Sequence, residues 1–70
     1  MRKNLYMLRH SHRLTQKEMA ERLGVTRTTY RNVESGVTAG SVKFWVALVR
    51  EFPETNLVEI TKVEVSDLEK

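Results

Sequence analysis

Arg27, Thr28, Arg31 and Asn32 are the residues best equipped for chemistry with another molecule: two guanidinium groups, a hydroxyl and a carboxamide in close succession. Stepped at the roughly 100° per residue of a helix, Arg27, Thr28, Arg31, Asn32 and Ser35 fall on one arc and Thr29, Tyr30, Val33 and Glu34 on the other. The inner arc has the bulk to pack. The outer arc carries only hydrogen-bonding and cationic groups. A guanidinium fork matches guanine O6 and N7, a carboxamide matches adenine N6 and N7, and all of these groups bond phosphate oxygens. A merely solvated basic face has the same composition, so the arc points to polyanion binding without fixing it.

Two capped helices and one glycine turn must position that arc. Thr15-Gln16-Lys17-Glu18 has the capping-box pattern: a threonine hydroxyl takes an orphan N–H and a glutamate three residues on reaches back. Leu14 and Met19 are spaced for a hydrophobic staple. Met19, Ala20 and Leu23 then form one apolar stripe, with Gln16, Lys17, Glu21 and Arg22 on the remaining surface. Gly24 is a helix stop, Val25 plugs the corner between the helices, and Thr26 is the next N-cap. Ser35-Gly36 ends the second helix.

Around this pair, Asn4 to Arg9 reads as a first helix, with Leu5 and Leu8 inward and Arg2, Lys3 and Arg9 available outside. His10 to Arg13 is a polar connector, and Val37 to Gly40 a short loop. Ser41 caps a fourth helix to about Phe52, in which Val42, Trp45, Val46, Val49 and Phe52 repeat at helical spacing. That makes Trp45 a core residue and Phe44, rotated about 100° from it, a partly exposed candidate for a partner surface. Pro53 stops the helix. Beyond it, the β-branched stretch from Leu57 to Val65 admits a strand or extended arm, but the Thr55-Asn56 cap favours a short fifth helix near 55–62 with a loosely ordered end. The expected architecture is a compact all-α domain of four to five helices over residues 1–53, with residues 54–70 an acidic tail or that fifth helix.

Composition narrows the function classes. Seventy residues make one small domain with a limited core, for which self-association is unsurprising. The absence of cysteine excludes disulfides and thiolate metal sites and fits a reducing cytoplasm. Phe44 to Val49, the longest apolar run, is far short of the roughly 20 residues that span a bilayer, and no signal-peptide pattern is visible. The net charge of +3 conceals a division: residues 1–50 hold ten Lys/Arg against three Glu, residues 51–70 two Lys against six Asp/Glu. The basic body fits phosphate, and the acidic end points away from it or serves another partner. His10 and His12 offer too few ligands for a metal. No glycine-rich phosphate loop or Ser/His/Asp grouping supports catalysis, and neither a cofactor nor a small-molecule ligand is expected.

The segment from Leu14 to Gly36, LTQKEMAERLGVTRTTYRNVESG, closely resembles the helix-turn-helix of the lambdoid phage repressor and Cro family, also called Xre-like. Its L-T-Q opening, the alanine at 20, L-G-V at 23–25 and the final E-x-G all sit at the family's spacing, and the resemblance extends over roughly residues 4 to 52. It implies that helix three, residues 27–35, lies in the major groove and that helix two crosses the backbone. Arg27, Thr28 and Asn32 would reach bases, and Arg31 either a base or the flanking phosphate. Gln16 would bond a phosphate and brace helix three, and Thr26 would touch the backbone; Lys17, Ser35 and, in place of a cation in the loop after Gly36, Lys43 are further candidate phosphate contacts. Arg9 and Glu34 match a pair that forms a buried salt bridge between helices one and three, which gives the inward glutamate a structural role. The loop after Gly36 departs from the family by bringing no cation.

The expected function is therefore that of a cytoplasmic, sequence-specific double-stranded-DNA-binding regulator of transcription. A Cro-like phage or mobile-element repressor, it would hold a near-palindromic operator as a homodimer and perform no enzymatic step. The rival from another class is an antitoxin-like or anti-regulator module that binds a protein partner through residues 54–70.

Overall fold

The computed structural model describes residues 1–63. Five helices follow in order: α1 Lys3–Ser11, α2 Gln16–Leu23, α3 Arg27–Ser35, α4 Val42–Glu51 and α5 Leu57–Ile60. No strand occurs among the described residues, so the fold is all-α. The expectation of a loosely ordered end falls on residues 64–70, outside the described residues.

Local chemistry sets the helix boundaries. The Thr15 hydroxyl accepts from Glu18 N at 3.1 Å while the Glu18 carboxylate accepts from Thr15 N at 2.9 Å, a complete capping box. Gly24 closes α2 at φ 70°, where a side chain would strain the backbone. Thr26, Ser41 and Asn56 cap α3, α4 and α5, each side chain accepting from backbone N–H groups of the first turn. The fifth helix is thus shorter than the 55–62 expected, a single turn between Asn56 and Thr61.

Leu5, Met19, Ala20, Leu23, Tyr30, Val33, Phe44, Leu48, Phe52 and Ile60 form one buried cluster. Ile60 carries the core past Pro53, so the first residues of the acidic end belong to the globule. Leu8, Leu14 and Val25 pack on its margin. Thr29, placed by its spacing on the inner arc of α3, is exposed instead and hydrogen-bonds Thr26.

Helix α4 is rotated from its expected setting. Phe44, Leu48 and Phe52 face inward, Phe44 only 2% exposed, whereas Val42 and Val46 face solvent and Trp45 and Val49 are half-buried. Both stripes repeat at helical spacing, so periodicity cannot choose between them. The choice is made by α2 and α3: Phe44 stacks on Tyr30 with ring centroids 6.1 Å apart, and Trp45 remains at the rim, where its indole N–H donates to Ala39 O at 3.2 Å.

A candidate nucleic-acid interface

The outer face of α3 is open. Arg27, Thr28, Arg31 and Ser35 are exposed and Asn32 is half-buried. Among the described residues no carboxylate lies within ion-pairing distance of Arg27, Arg31, Lys17 or Lys43, so these cations are unneutralised by the fold. The N-terminus of α2 stands beside this face. Gln16 lines two shallow depressions, one of about 420 Å³ shared with Thr15, Lys17 and Arg27, the other of about 340 Å³ shared with Arg31, Glu34 and Ser35. The fold therefore brings Gln16, Lys17, Arg27 and Arg31 to one surface. Lys43 is exposed on a separate element, in the first turn of α4.

Two of the expected phosphate ligands are already engaged. The Thr26 hydroxyl donates to Thr29 Oγ1 at 2.9 Å and accepts from Thr29 N at 3.1 Å. Ser35 Oγ donates to Asn32 O at 3.1 Å. Each would have to turn its proton away from α3 to bond a phosphate.

Beneath the face lies a buried ion pair. Arg9 Nε donates to Glu34 Oε2 at 2.8 Å and Nη2 to Oε1 at 3.1 Å, a two-pronged pairing, while Nη1 donates to Leu14 O at 2.9 Å. Gln16 Nε2 lies 3.4 Å from Glu34 Oε1 and links α2 to the same carboxylate. Burial pushes the Glu34 carboxyl up, but the hydrogen bonds and charge of Arg9 outweigh it and hold the group below the usual carboxylate range. The hydrogen bond to Glu34 raises Arg9 in turn. The Tyr30 hydroxyl, buried beside this pair, has no hydrogen-bond partner among the described residues, and burial drives its pKa well up. One carboxylate thus ties α1, α2 and α3 together, which fixes the tilt of the polar face relative to the α2 terminus.

Arg2, placed outside by its charge, is buried. Its guanidinium donates to four carbonyls: Val33 O on α3, Thr38 O at 2.8 Å and Ala39 O at 3.3 Å in the following loop, and Thr61 O at 3.1 Å after α5. It also lies 5.5 Å from the Trp45 ring centroid. Arg2 N donates to Glu34 O at 2.8 Å as well. The loop that brings no cation of its own is thus held from behind by one. Its burial lowers the Arg2 pKa from the ordinary value. No sequence pattern marks this role, because carbonyl acceptors belong to every residue and leave no trace in side-chain type.

Among the described residues no His, Cys, Asp or Glu group could hold a metal ion, and no helix is long and apolar enough to cross a membrane. His12 instead pairs with Glu54 across the surface at 2.9 Å.

A capped α2, a glycine turn and a polar, cationic α3 over an all-α core define a helix-turn-helix DNA-binding fold. The chain belongs to the helix-turn-helix family of the Xre-like, Cro and C1 type, whose family model matches residues 5–60. The family is one of DNA-binding transcription regulators. Comparison with curated proteins and with solved structures found no match.

Proposed function

We propose that this chain is a sequence-specific regulator of the Cro-like repressor type, from a phage or mobile element. In this reading it acts in the cytoplasm on a near-palindromic operator as a homodimer. Helix α3 enters the major groove, with Arg27, Thr28, Arg31 and Asn32 at base edges. Gln16 and Lys17 at the α2 terminus engage one phosphate strand, the positive end of the helix dipole adding to their attraction. Thr26, Ser35 and Lys43 contact flanking phosphates, the first two after releasing their internal hydrogen bonds. Repression follows from occupying a promoter, and no bond is made or broken.

The observation that carries this reading is the unneutralised cationic face shared by α2 and α3. An ordinary solvated surface would intersperse carboxylates, and the ones nearby are committed elsewhere: Glu34 to Arg9, Glu18 to the α2 cap. A polyanion is what such a face lacks.

Selection of binding sites from random duplexes, repeated at two salt concentrations, tests it. The expected outcome is an inverted-repeat consensus with half-site centres about one helical turn, roughly 34 Å, apart. Affinity should fall with salt at a slope of about −0.9 per phosphate contact. Enrichment of no sequence at either salt refutes specific DNA recognition.

A further inference from the structure

Three of the residues with left-handed backbone are glycines: Gly24, Gly36 and Gly40. The fourth is Arg13, at φ 56°, where a Cβ makes the conformation costly. The turn itself is needed. Arg13 N donates to His10 O at 3.0 Å and Leu14 N to Arg9 O at 3.2 Å, which closes α1 at the position where helices ordinarily place glycine. The arginine side chain, by contrast, does nothing for the fold: it is exposed, and among the described residues its guanidinium has no ion-pair partner. Both neighbours are pinned. His12 stacks on Phe52 with ring centroids 4.7 Å apart and meets Glu54 at 2.9 Å, and Leu14 O accepts from Arg9 Nη1 at 2.9 Å.

We propose that Arg13 is a further DNA-phosphate ligand, one that carries the cationic face past α2 onto the connector from α1. Thr15, Gln16 and Lys17 follow it at once, and with Arg9 and Arg27 they line the depression of about 420 Å³ beside α3. Arg13 stands two residues before Thr15, at most about 7 Å along the chain, a span that an arginine side chain covers. Its turn is rigid, held on one side by His12 and on the other by the same Arg9 that pairs with Glu34 under the polar face. Strained backbone persists where its surroundings fix it, and it gathers at binding sites. A glycine would serve this turn without strain but would bring no charge, whereas a guanidinium adds a two-pronged donor for phosphate. The inference deepens the regulator reading and rests on it for the choice of DNA as the polyanion.

Binding of a mixed-sequence duplex by the full chain, titrated over a series of salt concentrations, tests the proposal together with thermal unfolding. Arg13→Gly should raise Tm by roughly 4–8 °C, because glycine enters the left-handed region without strain. The same variant should bind duplexes of every sequence roughly three- to tenfold more weakly, and the slope of log affinity against log salt should become shallower by about 0.9, one phosphate contact. Arg13→Gln, which keeps the strained Cβ, should lose the same slope with Tm unchanged, and Arg13→Lys should retain the wild-type slope. Lys62→Gln, at an exposed cation beyond α5, should leave the slope as it is. On the duplex recovered by site selection, a neutral methylphosphonate placed at successive positions should erase the difference between wild type and Arg13→Gln at one phosphate and preserve it elsewhere.

Unchanged slopes in Arg13→Gly and Arg13→Gln overturn the proposal. So does a lowered Tm in Arg13→Gly, which would give the side chain a part in the fold, or an equal loss of slope in Lys62→Gln, which would reduce the effect to net charge. A methylphosphonate scan without a converging position overturns the direct contact. A wild type whose affinity for duplex DNA is indifferent to salt refutes the regulator reading itself. Wild-type binding with a steep slope that the Arg13 variants do not alter leaves that reading standing and removes only this ligand.

Discussion

Replacing Arg2 should unfasten three elements at once. Its guanidinium serves one fully buried carbonyl, Val33 O, and three partly buried ones, Thr38 O, Ala39 O and Thr61 O. In Arg2→Ala the three partly buried oxygens can recruit water, so each loses little more than the net value of a hydrogen bond, about 0.5–1 kcal/mol. Val33 O loses its partner behind the end of α3, at about 1–3 kcal/mol. Against this stands relief from holding a cation out of water, which offsets part of the sum. A net loss of about 2–3 kcal/mol is expected. For a domain of this size it lowers Tm by about 10–20 °C, at roughly 4–8 °C per kcal/mol. Arg2→Met separates the two contributions, since it keeps the aliphatic packing and abandons the carbonyls. If the bonds matter more than the buried charge, Arg2→Met should fall almost as far as Arg2→Ala. Thermal unfolding followed by circular dichroism measures both. A Tm for Arg2→Met equal to or above the wild type would refute the reasoning, because it would mean that desolvation of the cation costs more than its four bonds return.

Three other outcomes can be checked. Arg27→Ala should cost roughly 1–3 kcal/mol on the preferred site and flatten preference at a single base pair, whereas Gln16→Ala should weaken all duplexes about equally; site selection on each variant reads the difference. Glu34→Gln should cost about 3 kcal/mol at neutral pH by leaving Arg9 buried without its counter-charge. Because Glu34 is held below its unfolded pKa of about 4.3, its contribution is complete above that value and lost as pH falls through the folded value. Denaturant midpoints of wild type and variant should therefore converge on acidification, and parallel profiles would contradict the pairing. Gly40→Ala should destabilise by about 1–2 kcal/mol in the same measurement, since φ is 80° and the added methyl would meet Trp45 Nε1 at 2.9 Å. A neutral result there would show that the indole moves aside freely.

The segments legible in the sequence are those whose chemistry is local. Thr15 with Glu18, Thr26 and Ser41 declare helix starts through side chains that bond their own first turn, and Gly24 and Gly36 end helices at left-handed backbone angles. Their signals need no tertiary partner, so α2 and α3 stand where spacing puts them. The exposed face of α3 was legible for the same reason, cations at helical spacing beside a cap. Arg2 was not. A charged side chain beside an equally charged Lys3 reads as solvated unless its acceptors are known, and those acceptors are main-chain oxygens up to 59 positions away.

Helix α4 is illegible for a different reason. Val42, Trp45, Val46 and Val49 make one apolar stripe and Phe44, Leu48 and Phe52 another, so the helix has two faces that each qualify as inner. A helix in a monomer needs one such face. Phe44 is stacked on Tyr30 and Leu48 is fully buried, whereas Val42 and Val46 of the other stripe stay in water and forgo burial worth about 25 cal/mol per Å². The ambiguity of the sequence thus has a physical source: α4 carries two apolar stripes at helical spacing, and only contacts with the rest of the fold select the one that is buried. Polar replacement of Val42, 80% exposed on the outer stripe, should therefore leave stability within about 0.5 kcal/mol of the wild type, whereas Leu48→Ala, on the inner stripe, should cost about 2–5 kcal/mol, both read from denaturant midpoints.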